Sequence, residues 1–194
     1  MQTPDSDDEI TRWALAAGRG DRAAASSFIQ ATQQQVIRFL GHLTDASEAE
    51  DLAQETYLRA MRSLPRFAGR SSAKTWLLSI ARRVAVDHVR AVTVRPRVAA
   101  LENWEHAAEA TLARGAPHRF EDEIVLRDLL DALPADRREA FVATQVAGLS
   151  YAEAAEVCGC PVGTIRSRVA RAREDLVTLV QERRRDGRHL RASG

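Results

Sequence analysis

The segment that decides the fold spans residues 150–173 and reads SYAEAAEVCGCPVGTIRSRVARAR. Ser150 followed three residues later by Glu153 makes a capping box, which satisfies free backbone N–H groups at the start of a helix. Gly159 can adopt the positive φ that ends this helix, and Pro161 stands where a proline often opens the next one. The segment therefore predicts two short helices joined by a tight turn.

The second of these helices has two chemically different sides. Apolar residues recur at alternating steps of three and four, which places one stripe against a core; they are Val162, Ile165, Val169, Ala172, Leu176 and Leu179. The opposite side and its flanks carry hydrogen-bond donors, namely Thr164, Arg166, Ser167, Arg168, Arg171 and Arg173. A helix packed on one side and projecting donors from the other suits the major groove of DNA. The pattern predicts a DNA-binding helix-turn-helix.

Charge is segregated along the chain although the net charge is only +1. Residues 66–97 contain eight basic residues and one acid, whereas residues 45–55 contain five acids and no base. This separation suggests a basic face for a polyanion and an acidic face for a different partner. On charge alone, two ordinary solvated helix faces remain the alternative.

Several classes of protein are disfavoured by what the sequence lacks. Cys158 and Cys160 are too few and too close for a disulfide framework, and no histidine follows at the spacing of a zinc finger. No apolar run approaches a membrane span, and the N-terminus has no signal-peptide character. The sequence has no phosphate-binding loop, H-E-x-x-H or G-x-S-x-G motif. We expect a soluble cytoplasmic protein that is not an enzyme and needs no metal or cofactor.

The fold class follows from periodicity. Helical spacing recurs almost throughout, strand-type alternation is absent and aromatic residues make up only 5% of the chain, so an all-α fold is predicted. Helices are expected from about Asp7 to Ala17, from a cap at Asp21 to Gly41, from near Ser47 to before Pro65, and from Ala73 to about Ala91. Residues 94–119 hold two prolines and no sustained stripe, which predicts a flexible linker between domains at 1–93 and 120–194, the latter with a basic C-terminal tail.

Two segments of the first domain are candidate interaction surfaces. The helix after residue 47 should bury Ala53, Tyr57, Ala60, Met61 and Leu64, and expose an acidic face beside Leu58 that could dock a basic helix. The loop RFAGRSS and the basic helix after it could follow a phosphate backbone and offer Phe67 as a stacking platform for an unpaired base. A solvated flank for the acidic face, and a core position for Phe67 or Trp76, remain open alternatives. For Trp76 the core position is the favoured one.

Taken in order, these segments resemble bacterial sigma factors of the extracytoplasmic-function (ECF) group of the sigma-70 family. The matching motifs cover nearly the full chain: DLAQETYLRAM, FAGRSSAKTWLLSIARR, LPADRREAFV and GLSYAEAAEVCGCPVGTIRSRVARAR. The resemblance implies sigma-2-like and sigma-4-like domains. It also implies an alternative sigma factor that binds core RNA polymerase, recognises the minus-ten and minus-thirty-five promoter elements, promotes DNA melting and is controlled by an anti-sigma factor.

The resemblance further implies roles for individual residues. Docking on the coiled coil of the polymerase β′ subunit would fall to Asp51, Gln54 and Glu55, while the second domain would meet the β flap. Capture of the minus-ten element would fall to Phe67, Arg70, Ser71, Ser72, Trp76 and Arg83. Minus-thirty-five DNA would be bound by Thr164, Arg166, Ser167, Arg168 and Arg171, with Arg166, Ser167 and Arg171 as base contacts. Ala170 stands where some members carry an aromatic residue, so part of this readout should differ.

The helix-turn-helix motif alone would also allow an alternative, a stand-alone DNA-binding regulator. The acidic and basic helices of the first domain argue against it. Tight binding of duplex DNA by the purified chain without polymerase would favour it. An enzyme has no motif in its support.

Overall fold

The computed structural model describes residues 6–94 and 126–192, with side chains described over 6–92 and 126–183. All regular structure in these ranges is helical, as the sequence predicts. The first domain contains α1 (Asp7–Gly18), α2 (Arg22–Gly41), α3 (Ala49–Ser63) and α4 (Ala73–Val94), with 3-10 turns at Ala46–Glu48 and Leu64–Arg66. The second contains helical residues 126–131, α5 (Ala135–Phe141), a π-helical turn (Val142–Val146), α6 (Tyr151–Cys158) and α7 (Val162–Ala192). Most of the predicted linker lies outside the described residues.

The helix ends are set by local signals that the sequence displays. Asp21 caps α2 by accepting a hydrogen bond from the Ala24 N–H at 3.0 Å. Both halves of the Ser150–Glu153 capping box form at the start of α6, and Gly159 ends that helix with φ 63°. Ahead of α3 the 3-10 turn is capped by Asp45, whose carboxylate accepts from the Ser47 N–H at 3.0 Å. That hydrogen bond holds the pKa of Asp45 below its ordinary value.

The core of the first domain packs all four helices together. Ile10, Phe28, Phe39 and Leu77 are fully buried, and α4 runs through the centre of this cluster. In α3 the predicted stripe is partly wrong, because Leu52 and Thr56 are buried while Tyr57 and Met61 lie at its edge. The Tyr57 hydroxyl is 2.7 Å from the Thr32 hydroxyl, and desolvation raises the pKa of Tyr57 to about 12.

The buried residues of the helix-turn-helix domain continue the hydrophobic cluster of the first domain. Leu130 and Val142 are fully buried. Of the predicted apolar stripe of α7, Ile165, Val169 and Ala172 are buried, and Leu176 and Leu179 are half-buried. Val162 is the exception, with 38% of its surface exposed. It is the first residue of α7, and periodicity alone mispredicts its burial.

The two domains lie in contact through α4 and α6. Arg82 of α4 forms a two-pronged ion pair with Glu139 of α5. The Gln35 side-chain amide donates to the Ala147 carbonyl at 2.8 Å. Among the helices that the structure describes, none is both long and apolar enough to cross a membrane.

Candidate promoter and polymerase interfaces

An aromatic pocket forms where the loop after α3 meets the first turn of α4. The Phe67 and Trp76 rings lie 4.8 Å apart between centroids, at an interplanar angle of 36°. Both rings are partly buried and both line an open pocket of about 170 Å³. Trp76 is partly buried and packs against the core, and it also lines this pocket. The pocket is lined by Arg66, Phe67, Ala68, Arg70, Ser71 and Trp76, four of which are predicted minus-ten residues.

The remaining two predicted minus-ten residues lie outside this lining. The Ser72 hydroxyl accepts from the Thr75 N–H at 3.1 Å and so caps the first turn of α4. Arg83 is exposed on the outer side of α4. Gly69, in the loop before Ser72, has a φ of +66°. The structure thus brings four of the six residues into one pocket and leaves Ser72 and Arg83 beside it.

Two bases of the basic helix α4 are engaged within the protein. Lys74 contacts the Asp7 carboxylate at 2.6 Å. Arg82 is paired with Glu139, and the hydrogen bond to that carboxylate raises the pKa of the arginine above its ordinary value. The basic face predicted from the sequence is therefore partly neutralised, and Arg83 is the exposed base nearest Arg82 in the chain.

The acidic face of α3 is open to solvent. Asp51 and Gln54 are exposed, and Leu58 beside them is 55% exposed, as the sequence predicts. Glu55 accepts a hydrogen bond from the Arg59 Nε at 2.7 Å, and the same guanidinium reaches Asp87 at 2.8 Å. Asp51 forms no ion pair with the described residues, and the uncharged Gln54 lies beside it. The charge of Glu55 is already partly neutralised by its guanidinium partner.

The recognition helix α7 presents three of its five predicted DNA contacts to solvent. Arg166, Ser167 and Arg171 are exposed, and Thr164 is half-buried. The Ser167 hydroxyl donates to the Thr164 carbonyl at 3.0 Å, which leaves its oxygen free to accept.

Arg168 points back to the scaffold. Its Nε lies 3.1 Å from the Asp136 carboxylate, and its Nη1 contacts the Cys160 sulfur at 3.8 Å. These contacts tie α7 to α5 and to the turn, so Arg168 is placed to orient the recognition helix.

The two cysteines are free thiols beneath the turn. Cys158 is buried, and desolvation raises its pKa to about 12, so this thiol stays protonated. Within the described part of the chain no group of three or more His, Cys, Asp or Glu side chains could hold a metal ion.

Sequence reasoning missed the residues that join the two domains. Glu139 and Glu153 each read as a solvated helix residue or a cap, yet Glu139 pairs with Arg82 and Glu153 accepts from the Thr75 hydroxyl at 3.2 Å. These partners are separated by 57 and 78 positions, beyond the range of any local pattern.

Comparison with known proteins fits this arrangement. The Sigma-70 region 2 family matches residues 28–93, and the family described as Sigma-70, region 4 matches residues 124–176. The chain is 52% identical over 179 residues to the ECF RNA polymerase sigma factor SigC of Mycobacterium tuberculosis, covering 91% of this chain and 95% of SigC. It is 32% identical over 174 residues to the ECF RNA polymerase sigma-E factor of Escherichia coli, covering 84% and 90% of the two chains.

Two solved structures share the architecture. The sigma factor RpoE of Bartonella quintana, in complex with the anti-sigma factor NepR, superposes with a TM-score of 0.60 at 29% identity, over 80% of this chain and 97% of that one. CnrH, in complex with the cytosolic domain of CnrY, gives a TM-score of 0.68 at 24% identity, over 91% and 99%, and supports the fold alone.

The fold and the two matched regions define a DNA-binding transcription initiation factor that is not an enzyme. The chain belongs to the ECF group of the sigma-70 family of RNA polymerase sigma factors. It is therefore an alternative sigma factor, and the hypothesis of a stand-alone regulator is set aside.

Proposed function

We propose that this sigma factor directs core polymerase to its promoters with two separate DNA-reading surfaces. Residues 1–93 hold polymerase and the minus-ten element, residues 94–119 act as the tether, and residues 120–194 read the minus-thirty-five element. The observation that carries this proposal is the tilted Phe67–Trp76 ring pair, set in a pocket beside exposed arginines within the matched region 2.

The pocket is suited to a single unstacked base. Pockets for drug-sized ligands measure about 300–1,000 Å³, so the 170 Å³ found here fits a smaller planar group. Stacking of a base on an aromatic side chain contributes about 1–3 kcal/mol, comparable to the few kcal/mol that extrusion from a duplex costs. Ser71 offers a hydroxyl to the base edge and Arg70 a cation to the strand. Ser72 and Arg83 would contact the same strand just outside the pocket.

The exposed side of α7 is suited to the major groove at the minus-thirty-five element. Arg166 and Arg171 can donate two hydrogen bonds each to guanine or to phosphate, and Ser167 can serve either a donor or an acceptor on a base. Thr164 lies at the edge of this surface. Arg168 would support DNA binding indirectly, because its ion pair with Asp136 orients the helix.

The acidic face of α3 is suited to the polymerase. Asp51, Gln54 and Glu55 would meet a basic helix of the β′ coiled coil, with Leu58 supplying apolar contact. The β flap would hold the second domain. Polymerase supplies the avidity, because a tethered second module binds at high effective concentration. The chain would work in the cytoplasm, where polymerase meets the chromosome.

Control by an anti-sigma factor is supported by the structural relatives. The superposed RpoE structure contains the anti-sigma factor NepR. We infer that an inhibitory protein binds this chain across the same polymerase-facing surfaces.

The deciding experiment is run-off transcription with purified core polymerase on a genomic library, with start sites mapped. We expect a distinct set of start sites sharing two sequence elements. Core polymerase that fails to retain the chain, or that initiates identically without it, would refute the proposal.

A further inference from the structure

The arginines of the helix-turn-helix domain fall into two groups. Of the eight with described side chains, five form ion pairs with aspartates: Arg127, Arg137, Arg138, Arg168 and Arg183. The other three, Arg166, Arg171 and Arg173, are exposed on α7 and pair with no carboxylate among the described residues. Two of these three are proposed base contacts. Arg173 is not one of the proposed base contacts.

Arg173 is nevertheless held in place, and by a neutral group. Its Nη2 donates to the Gln145 Oε1 at 3.1 Å. The Gln145 Nε2 donates in turn to the Thr144 hydroxyl at 3.0 Å, and buried Thr144 donates to the Ala140 carbonyl at 2.9 Å. A relay of three hydrogen bonds thus anchors the guanidinium to the domain core. An amide orients the guanidinium without cancelling its charge, whereas a carboxylate would do both.

Gln145 owes its position to an irregular backbone. It lies in the π-helical turn Val142–Val146, in which Val142, Ala143 and Thr144 are buried in succession and Gln145 is exposed. Turns of this type are rare and are frequent at functional sites. Here the turn brings the Gln145 amide to the side of α7 that carries Arg173.

The position of Arg173 on α7 fits a backbone contact. It follows Arg166 by seven residues, so it lies on the same flank about 10.5 Å further along the helix. When the exposed centre of a recognition helix meets base edges, its flanks face the sugar-phosphate chains. We propose that Arg173 contacts a phosphate of the minus-thirty-five element and that Gln145 is the residue that positions it. This inference rests on the proposed role of α7 as the minus-thirty-five reader.

The test measures binding of reconstituted holoenzyme to a duplex promoter at several salt concentrations. Affinity falls with salt to roughly the 0.9 power for each phosphate neutralised. Arg173→Ala should therefore weaken binding about eightfold at 0.1 M salt and reduce the slope of log affinity against log salt by about 0.9, equally for all promoter sequences. Arg173→Lys should restore the slope because it restores the charge.

The Gln145→Glu substitution tests whether the neutral charge of the amide matters or only its contact with the helix. The new carboxylate should pair with Arg173, leave the melting temperature unchanged or higher, and reduce both affinity and salt slope. Arg183→Ala is the matched control, since it removes a charge from the same helix where Asp128 already neutralises it; its slope should equal that of the parent. A parent-like slope for Arg173→Ala, or parent-like binding for Gln145→Glu, would overturn the inference while leaving the proposed function intact. Failure of the parent holoenzyme to bind promoters would refute both.

Discussion

Replacing Glu139 with glutamine should loosen the contact between the two domains of this sigma factor. The Glu139 carboxylate accepts two hydrogen bonds from Arg82, and only 12% of the Glu139 side chain and 27% of the Arg82 side chain are exposed. Hydrogen bonds to charged groups contribute about 1.5–3 kcal/mol. Since glutamine keeps the shape but loses the charge, the equilibrium between contacting and separated domains should shift by about 10- to 150-fold.

Small-angle X-ray scattering of the free chain measures this shift as an increase in the radius of gyration. The matched control is Asp175→Asn, which breaks the 2.6 Å pair with Arg137 inside the second domain. We expect the control to lower the melting temperature without changing the scattering. Identical scattering of parent and Glu139→Gln at low salt would show that the Arg82–Glu139 pair does not hold the domains together.

Three further outcomes test the proposed interfaces. Phe67→Ala should reduce initiation on a duplex promoter by about 5- to 150-fold but leave a pre-opened promoter unaffected, because stacking worth about 1–3 kcal/mol is needed only to trap the extruded base; equal loss on both templates would contradict this role. Arg171→Ala should cost about 1–3 kcal/mol of promoter binding and relax sequence preference at one position of the minus-thirty-five element, as read by competition among promoter variants. Asp51→Lys should reduce co-purification with core polymerase while the melting temperature stays within about 2 °C of the parent, since exposed substitutions usually change stability by less than about 0.5 kcal/mol; undiminished co-purification would remove Asp51 from the docking surface.

The sequence predicts those features that depend on near neighbours. The caps at Asp21 and Ser150, the end of α6 at Gly159 and the exposed Leu58 all follow from residues a few positions apart. Helix spacing likewise identifies the buried stripe of α7. Val162, the first residue of α7, fits the spacing but is exposed.

Contacts between distant segments could not be predicted. Arg168 reads as an outward-facing donor, yet its partner Asp136 lies on a helix whose approach only the folded domain defines. The same holds for the contact between the Phe67 and Trp76 rings, which come from the loop after α3 and from α4.

The contact between α4 and α6 limits what the free chain can do on DNA. Positions ten and thirty-five base pairs upstream are separated by about 25 pairs, or about 85 Å at 3.4 Å per pair. A compact chain of 194 residues has a radius of gyration of only about 16 Å. Binding both elements at once therefore requires the two domains to separate. The free energy for this separation has to come from binding to RNA polymerase. On this geometry, the chain becomes able to span a promoter in the same step in which it binds polymerase.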